Sequence, residues 1–290
     1  MRFSGSYVAL VTPFHADGSV NFEKLRELVE WHVQQGTDGI VALGTTGESS
    51  TMSHEEDDAV ARAVIETVNG RIPVICGAGS NSTQTQLEKS RRYHDMGADG
   101  LLLITPYYNK ANDEGMYRHF AAVADTVDTP IILYNVPGRT GCSISPACCA
   151  RLAAHPNIAG IKEASGNIGY TARIAKLVGD DFCLFSGNDD MIVPIMSLGG
   201  CGVISVWANI CPKEVHALTS AFASGEIAKA REIQLKYLEL IDALFCEVNP
   251  IPVKEAMNQM GMEVGGYRLP LCEISPAGRE RVHRALEVLG

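Results

Sequence analysis

The residue in this chain best placed to do chemistry is a lysine inside a strand-like run. Lys162 lies in Ala159-Gly160-Ile161-Lys162-Glu163-Ala164-Ser165. Strand side chains alternate between faces, so Ile161 and Glu163 point one way while Lys162 points the other, with Gly160. An ordinary lysine amine, pKa about 10.4, is neutral in roughly one molecule in 2,500 at pH 7, and burial that lowers the pKa by about 3 units raises that fraction nearly a thousandfold. A neutral amine of this kind attacks a ketone and forms a Schiff base. The plain alternative is a strand-end lysine that pairs with a carboxylate.

Three further segments carry groups that would serve such a lysine. Leu133-Tyr134-Asn135-Val136-Pro137-Gly138-Arg139-Thr140-Gly141 ends an apolar run on a tyrosine and places an arginine in the loop that follows. Gly44-Thr45-Thr46-Gly47-Glu48 offers hydroxyls and backbone N–H groups to an anion. Thr105-Pro106-Tyr107-Tyr108-Asn109 adds two phenols. Taken singly, these are a core tyrosine, a solvated arginine, a glycine turn and an aromatic loop. Together they make a site only if the fold gathers the ends of their strands.

A repeated connection supplies that fold. Gly36-Thr37-Asp38-Gly39, Gly97-Ala98-Asp99-Gly100 and Gly199-Gly200-Cys201-Gly202 each lead into an apolar run, at 40–43, 101–104 and 203–206. The first glycine suits a left-handed helix C-cap and the run suits a strand covered on both faces. Further runs at 7–11, 73–76, 130–134, 159–162 and 183–185 bring the candidate strands to eight. Helical spacing separates them: Asn21 caps the pattern Phe22, Leu25, Leu28, Val29, His32, Val33, and Ser53 with Glu56 forms a capping-box pair ahead of another helix. Right-handed βαβ units repeated eight times close into a (β/α)8 TIM barrel, whose catalytic groups sit at the C-terminal ends of its strands. A doubly wound open sheet is the other reading of the same alternation. Strand signals stop after Trp207, and 226–244 and 252–260 read as amphipathic helices. The expected division is therefore a barrel over 1–225 and a C-terminal helical domain over 226–290.

Composition narrows the function classes. The 290 residues carry a formal charge of −10, which argues against nucleic acid or an anionic membrane as partner. The short apolar run near the N-terminus is neither a signal peptide nor a membrane span, so a cytoplasmic location is expected. The nine cysteines contain no C-x-x-C pair and their number is odd, which fits free, mostly buried thiols. Gly77-Ala78-Gly79-Ser80-Asn81-Ser82 lacks the third glycine of a dinucleotide fingerprint, and only His15 and His54 fall near strand-end loops, so neither a nucleotide cofactor nor a metal is expected.

In combination, the segments at Gly44, Tyr134 and Gly160, with Asn249-Pro250-Ile251-Pro252-Val253-Lys254, resemble the dihydrodipicolinate synthase family, over the whole chain. Several of these elements are shared with the wider group of pyruvate-dependent lyases. The resemblance implies condensation of pyruvate with L-aspartate 4-semialdehyde, on the route to diaminopimelate and lysine. It assigns Lys162 as the Schiff-base lysine, Tyr134 as proton donor and acceptor, and Thr45 and Tyr108 as a proton relay, with Tyr108 reaching a neighbouring subunit. Thr45 and Thr46 would hold the pyruvate carboxylate, Arg139 that of the aldehyde, and the backbone at Gly187 and Ile204 would line the pocket. It also implies a homotetramer built as a dimer of dimers and a lysine feedback site at Ser49, Ser50, His54, Asn81 and Tyr107. Asp57 replaces a frequent histidine there, and Thr85 stands where sensitive members carry glutamate, so weak or absent lysine inhibition is expected. The alternatives are a sibling aldolase acting on N-acetylneuraminate or a 2-keto-3-deoxy sugar acid, and a non-catalytic ligand-binding barrel. Asp189 and Asp190 read as hydrogen-bonding supports.

Overall fold

The computed structural model describes residues 3–290. Eight parallel strands, β1 (Gly5–Ala9), β2 (Gly39–Ala42), β3 (Val74–Gly77), β4 (Gly100–Ile104), β5 (Ile131–Asn135), β6 (Ile158–Glu163), β7 (Cys183–Ser186) and β8 (Gly202–Ser205), close in that order into a barrel. Helices alternate with them, as the repeat predicts, and continue beyond β8, where the strand signals stop.

The glycines of the repeat do two different jobs. Gly36, Gly97 and Gly199 sit at φ +81°, +87° and +90°, a backbone region in which a side chain would clash. The glycines that open the strands are packed against. A Cβ at Gly39 would lie 2.1 Å from the Tyr7 ring, and one at Gly202 would lie 2.0 Å from the Gly5 carbonyl oxygen. Helix starts follow their caps. The Asn21 side chain accepts from the Lys24 N–H to open the helix Phe22–Gln34, and Ser53 with Glu56 forms the full capping box of His54–Val68. Each such cap contributes about 1 kcal/mol.

Residues 73–204, with the segment ending at Gly5, form one compact unit. Inside it β3 to β8 pair side by side in parallel register. The core is aliphatic: Ile75, Leu101, Leu103, Ile132, Leu133 and Ile161 are fully buried.

Ser6–Ile72 with Ser205–Gly290 forms the second unit. The sequence pattern extends the first strand to residue 11, but β1 stops at Ala9. There the Asn209 side chain donates to the Ala9 carbonyl (2.8 Å) and accepts from the Val11 N–H (3.1 Å), replacing the ladder with a side-chain clamp. The predicted helix over 226–244 is instead two, Ile227–Lys236 and Leu238–Ala243. The break falls at Tyr237, whose ring packs 5.1 Å from that of the buried Trp207; a tertiary contact overrides a continuous amphipathic pattern. The helix Ile251–Gln259 lies within one residue of its expected bounds.

Six of the nine cysteines are buried, and burial pushes the thiols of Cys76 and Cys149 up to about 12, so they stay protonated. No helix among the described residues is long and apolar enough to cross a membrane.

Candidate active site

The first unit carries Lys162, Tyr134, Arg139, Tyr108, Gly187 and Ile204, and sets the first two side by side. Tyr134 and Lys162 are register partners at the C-terminal ends of β5 and β6, so their side chains leave the sheet side by side on the same face. The Lys162 amine lies 4.6 Å from the centroid of the Tyr134 ring. Both residues are buried, Lys162 to 6% exposure and Tyr134 to 7%. Burial pulls the Lys162 pKa down to about 8; the Asp189 carboxylate pushes it up and the Arg139 guanidinium pushes it further down. At pH 7 an amine of that pKa is neutral in about one molecule in ten, some two hundred times the free-lysine fraction. The expected desolvated lysine is present.

Arg139 sits in the single helical turn Pro137–Thr140, exposed at the end of β5. Pro137 opens that turn and Gly141 closes it at φ +70°, so local sequence sets the bounds of the short helix that carries the cation. Of the two acidic residues after β7, Asp189 is buried and acts on Lys162, whereas Asp190 is exposed. Gly187 has no room for a side chain: a Cβ there would meet that of Ala164 at 2.6 Å. Ile204 is fully buried in β8. Tyr108 is 92% exposed and held at φ +70°, pointing its phenol away from its own unit's core.

The second unit builds the glycine turn. Thr45–Gly47 forms a tight 3-10 turn after β2, and Thr12 Oγ1 donates to the Gly47 carbonyl at 2.6 Å. Thr46 is buried, and its hydroxyl accepts from Asn249 Nδ2 at 3.0 Å. Glu48 takes a left-handed conformation at φ +54°, which costs about 1–2 kcal/mol for a residue with a side chain. Its carboxylate is fixed by the fully buried Lys254, whose amine donates to Glu48 Oε1 (2.8 Å), to the Thr12 carbonyl (3.1 Å) and to the Gly266 carbonyl. Burial pulls the Lys254 pKa below its ordinary range while Glu48 pushes it back up. Replacing Lys254 with methionine strands the Glu48 carboxylate in the interior and is expected to destabilise the protein by about 3–5 kcal/mol. A denaturant midpoint unchanged from the parent would contradict that role.

The residues of the expected feedback site are placed as follows. In the first unit Asn81 Nδ2 donates to the Tyr107 carbonyl at 3.2 Å. In the second, Ser50 and His54 are exposed, while Ser49 Oγ donates to the buried Asp57 carboxylate at 3.2 Å. Asp57 thus serves an internal contact.

Three groups near these sites have roles that the sequence did not announce. Asp189 is an electrostatic partner of Lys162; its position after β7 was the only signal. Lys254 and Glu48 are 206 residues apart, and nothing local to either points to the other. Asn135 and Glu163, each one residue beyond a site residue, bond to one another at 2.7 Å. Burial raises the Glu163 pKa, opposed by hydrogen bonds from Ser165 and Asn135.

A buried, partly neutral amine beside a phenol and a guanidinium can capture a small keto acid. The sequence model of the dihydrodipicolinate synthetase family matches residues 2–289. A 4-hydroxy-tetrahydrodipicolinate synthase of Thermoanaerobacter sp. (strain X514) is 52% identical over 99% of this chain and 97% of its own. One from Clostridium perfringens (strain SM101 / Type A) is 52% identical over 94% and 93%. The crystal structure of dihydrodipicolinate synthase from Aquifex aeolicus superposes with a TM-score of 0.96 at 43% identity, covering 98% of this chain and 97% of that one.

Proposed function

The chain belongs to the dihydrodipicolinate synthetase family and has 4-hydroxy-tetrahydrodipicolinate synthase activity, and from that premise we propose which of its residues carry the reaction. The neutral amine of Lys162 adds to the pyruvate ketone and expels water, forming an imine. Loss of a proton from the methyl carbon gives the enamine, which forms a carbon–carbon bond with the aldehyde of L-aspartate 4-semialdehyde. The substrate's own amine then attacks the imine carbon, breaks the bond to Lys162 and releases the hydroxylated ring. Tyr134 exchanges the protons of these steps, with the hydroxyls of Thr45 and Tyr108 as its relay. Thr45 and Thr46 receive the pyruvate carboxylate, Arg139 the carboxylate of the semialdehyde, and Gly187 and Ile204 line the pocket. The observation that carries this reading is the buried Lys162 amine 4.6 Å from the Tyr134 ring.

The exposure of Tyr108 supports a homo-oligomer in which a second copy uses its phenol, and we assign the working form as a cytoplasmic homotetramer, a dimer of dimers, with 1–225 as the catalytic part and 226–290 as a helical appendage. The substrate assignment is tested by assaying condensation of pyruvate with aspartate semialdehyde beside cleavage of N-acetylneuraminate and of a 2-keto-3-deoxy sugar acid. Turnover confined to the first pair is expected; preferential cleavage of a sugar acid would overturn the assignment.

Two more outcomes follow from the site. Only the neutral amine attacks pyruvate, and a pKa of about 8 makes the neutral fraction fall about tenfold per pH unit below that value. The rate of imine formation at limiting pyruvate is therefore expected to rise with pH up to about 8 and then level. Rapid-quench trapping with borohydride reads it directly, and a flat profile below pH 8 would contradict it. At the feedback positions, Thr85 supplies no carboxylate for an effector's ammonium, so calorimetric titration with lysine is expected to show weak binding or none; tight binding would overturn this.

A further inference from the structure

Directly behind the site residues lies a second pair. Tyr134 and Lys162 are register partners, and so are their successors Asn135 and Glu163, whose side chains point to the opposite face of the sheet. Both are buried, at 0% and 1% exposure. Asn135 Nδ2 donates to Glu163 Oε2 at 2.7 Å, and the Ser165 N–H donates to Glu163 Oε1 at 2.6 Å. On its other side, Asn135 Oδ1 accepts from the Ile144 N–H at 3.0 Å and from Ser143 Oγ at 3.1 Å. The side chain of Asn135 thereby ties residues 143 and 144 back to the end of β5 and closes the segment that carries Arg139. Glu163 then fastens this closure to β6, one residue from Lys162.

We propose that Asn135 and Glu163 are positioning residues that hold the Arg139 segment in fixed relation to Lys162, and so set where the aldehyde's carboxylate sits relative to the nitrogen bearing pyruvate. The inference rests on the roles proposed above for Lys162 and Arg139.

The pattern of donors and acceptors makes the pair testable. A backbone N–H can only donate, so the Ile144 N–H requires the acceptor end of Asn135, and this turns its NH₂ toward Glu163. The Ser165 N–H and that NH₂ require two acceptor oxygens, which a carboxylate has and a glutamine lacks. In E163Q one buried donor must therefore face another, however the amide is turned. In the double variant N135D/E163Q the polarity is exchanged. A carboxylate at 135 accepts from Ile144, Ser143 and the new amide, whose oxygen accepts from Ser165, and all four bonds return with the net charge unchanged.

The experiment measures kcat and KM for each substrate, with borohydride trapping of pyruvate, in the wild-type protein, E163Q and N135D/E163Q. E163Q is expected to raise KM for aspartate semialdehyde about tenfold, the loss of one buried hydrogen bond, while pyruvate is still trapped on Lys162. The double variant is expected to return within about threefold of wild type. If E163Q does not accumulate as folded protein, a folded double variant with near wild-type aldehyde KM supports the proposal equally. Unchanged kinetics in E163Q, the same defect in both variants, or failure of both to fold overturns it. A wild-type protein that traps no pyruvate refutes the imine reading itself, whereas normal trapping with unchanged E163Q kinetics refutes only the positioning role.

Discussion

Replacing Lys162 with alanine is expected to abolish condensation, lowering kcat on the order of 10⁴-fold or more, because no other group in the site can form the covalent bond to pyruvate. The arginine variant sharpens the test. A guanidinium keeps a positive charge facing Asp189, which acts on Lys162 in the native protein, yet it is never neutral and cannot form an imine under these conditions. If Lys162 serves only as a buried cation, Lys162→Arg retains much of the activity. If it is the nucleophile, the arginine variant is as inactive as the alanine one while its thermal unfolding stays close to that of the parent. Steady-state assay of both variants beside their melting curves separates these cases.

Replacing Tyr134 with phenylalanine is expected to lower kcat by about 10²–10⁴-fold, the range for loss of a positioned general acid or base. The ring lies 4.6 Å from the Lys162 amine, and phenylalanine preserves that contact, so the field around the amine changes little. What is lost is the hydroxyl. Pyruvate should therefore still be captured on Lys162, slowly, while condensation stalls. A phenylalanine variant with kcat within about threefold of wild type would show that protons move without this phenol.

The fold was legible because its signals are local and repeated. The glycine pairs at Gly36 and Gly39, Gly97 and Gly100, and Gly199 and Gly202 mark helix end and strand start in three separate places, and each strand lies within about two residues of its apolar run. Lys162 stood out as a cation in a strand-like run, but Glu163 follows it there, so the residue alone left open a lysine paired with a carboxylate; the tyrosine and arginine of the preceding segment turned the reading toward chemistry. The break at Tyr237 was not legible, since it depends on a ring contact with Trp207, 30 residues earlier in the chain. Nor was the Lys254–Glu48 pair, whose partners meet only in the folded chain. Asn135 and Glu163 stood in full view beside Tyr134 and Lys162. Their role emerges only when the register sets them opposite one another and the backbone donors of Ile144 and Ser165 fix which end of each side chain must face which.

On the proposed mechanism Lys162 is the residue that bonds covalently to pyruvate. Borohydride reduction of the native protein with pyruvate, followed by proteolysis and peptide mass mapping, tests it most directly, because reduction converts the imine into a stable secondary amine on whichever lysine formed it. A single pyruvate-derived adduct on the peptide containing Lys162, absent without pyruvate, is the predicted result. An adduct on another lysine, or none under conditions in which the protein turns over, would contradict the account.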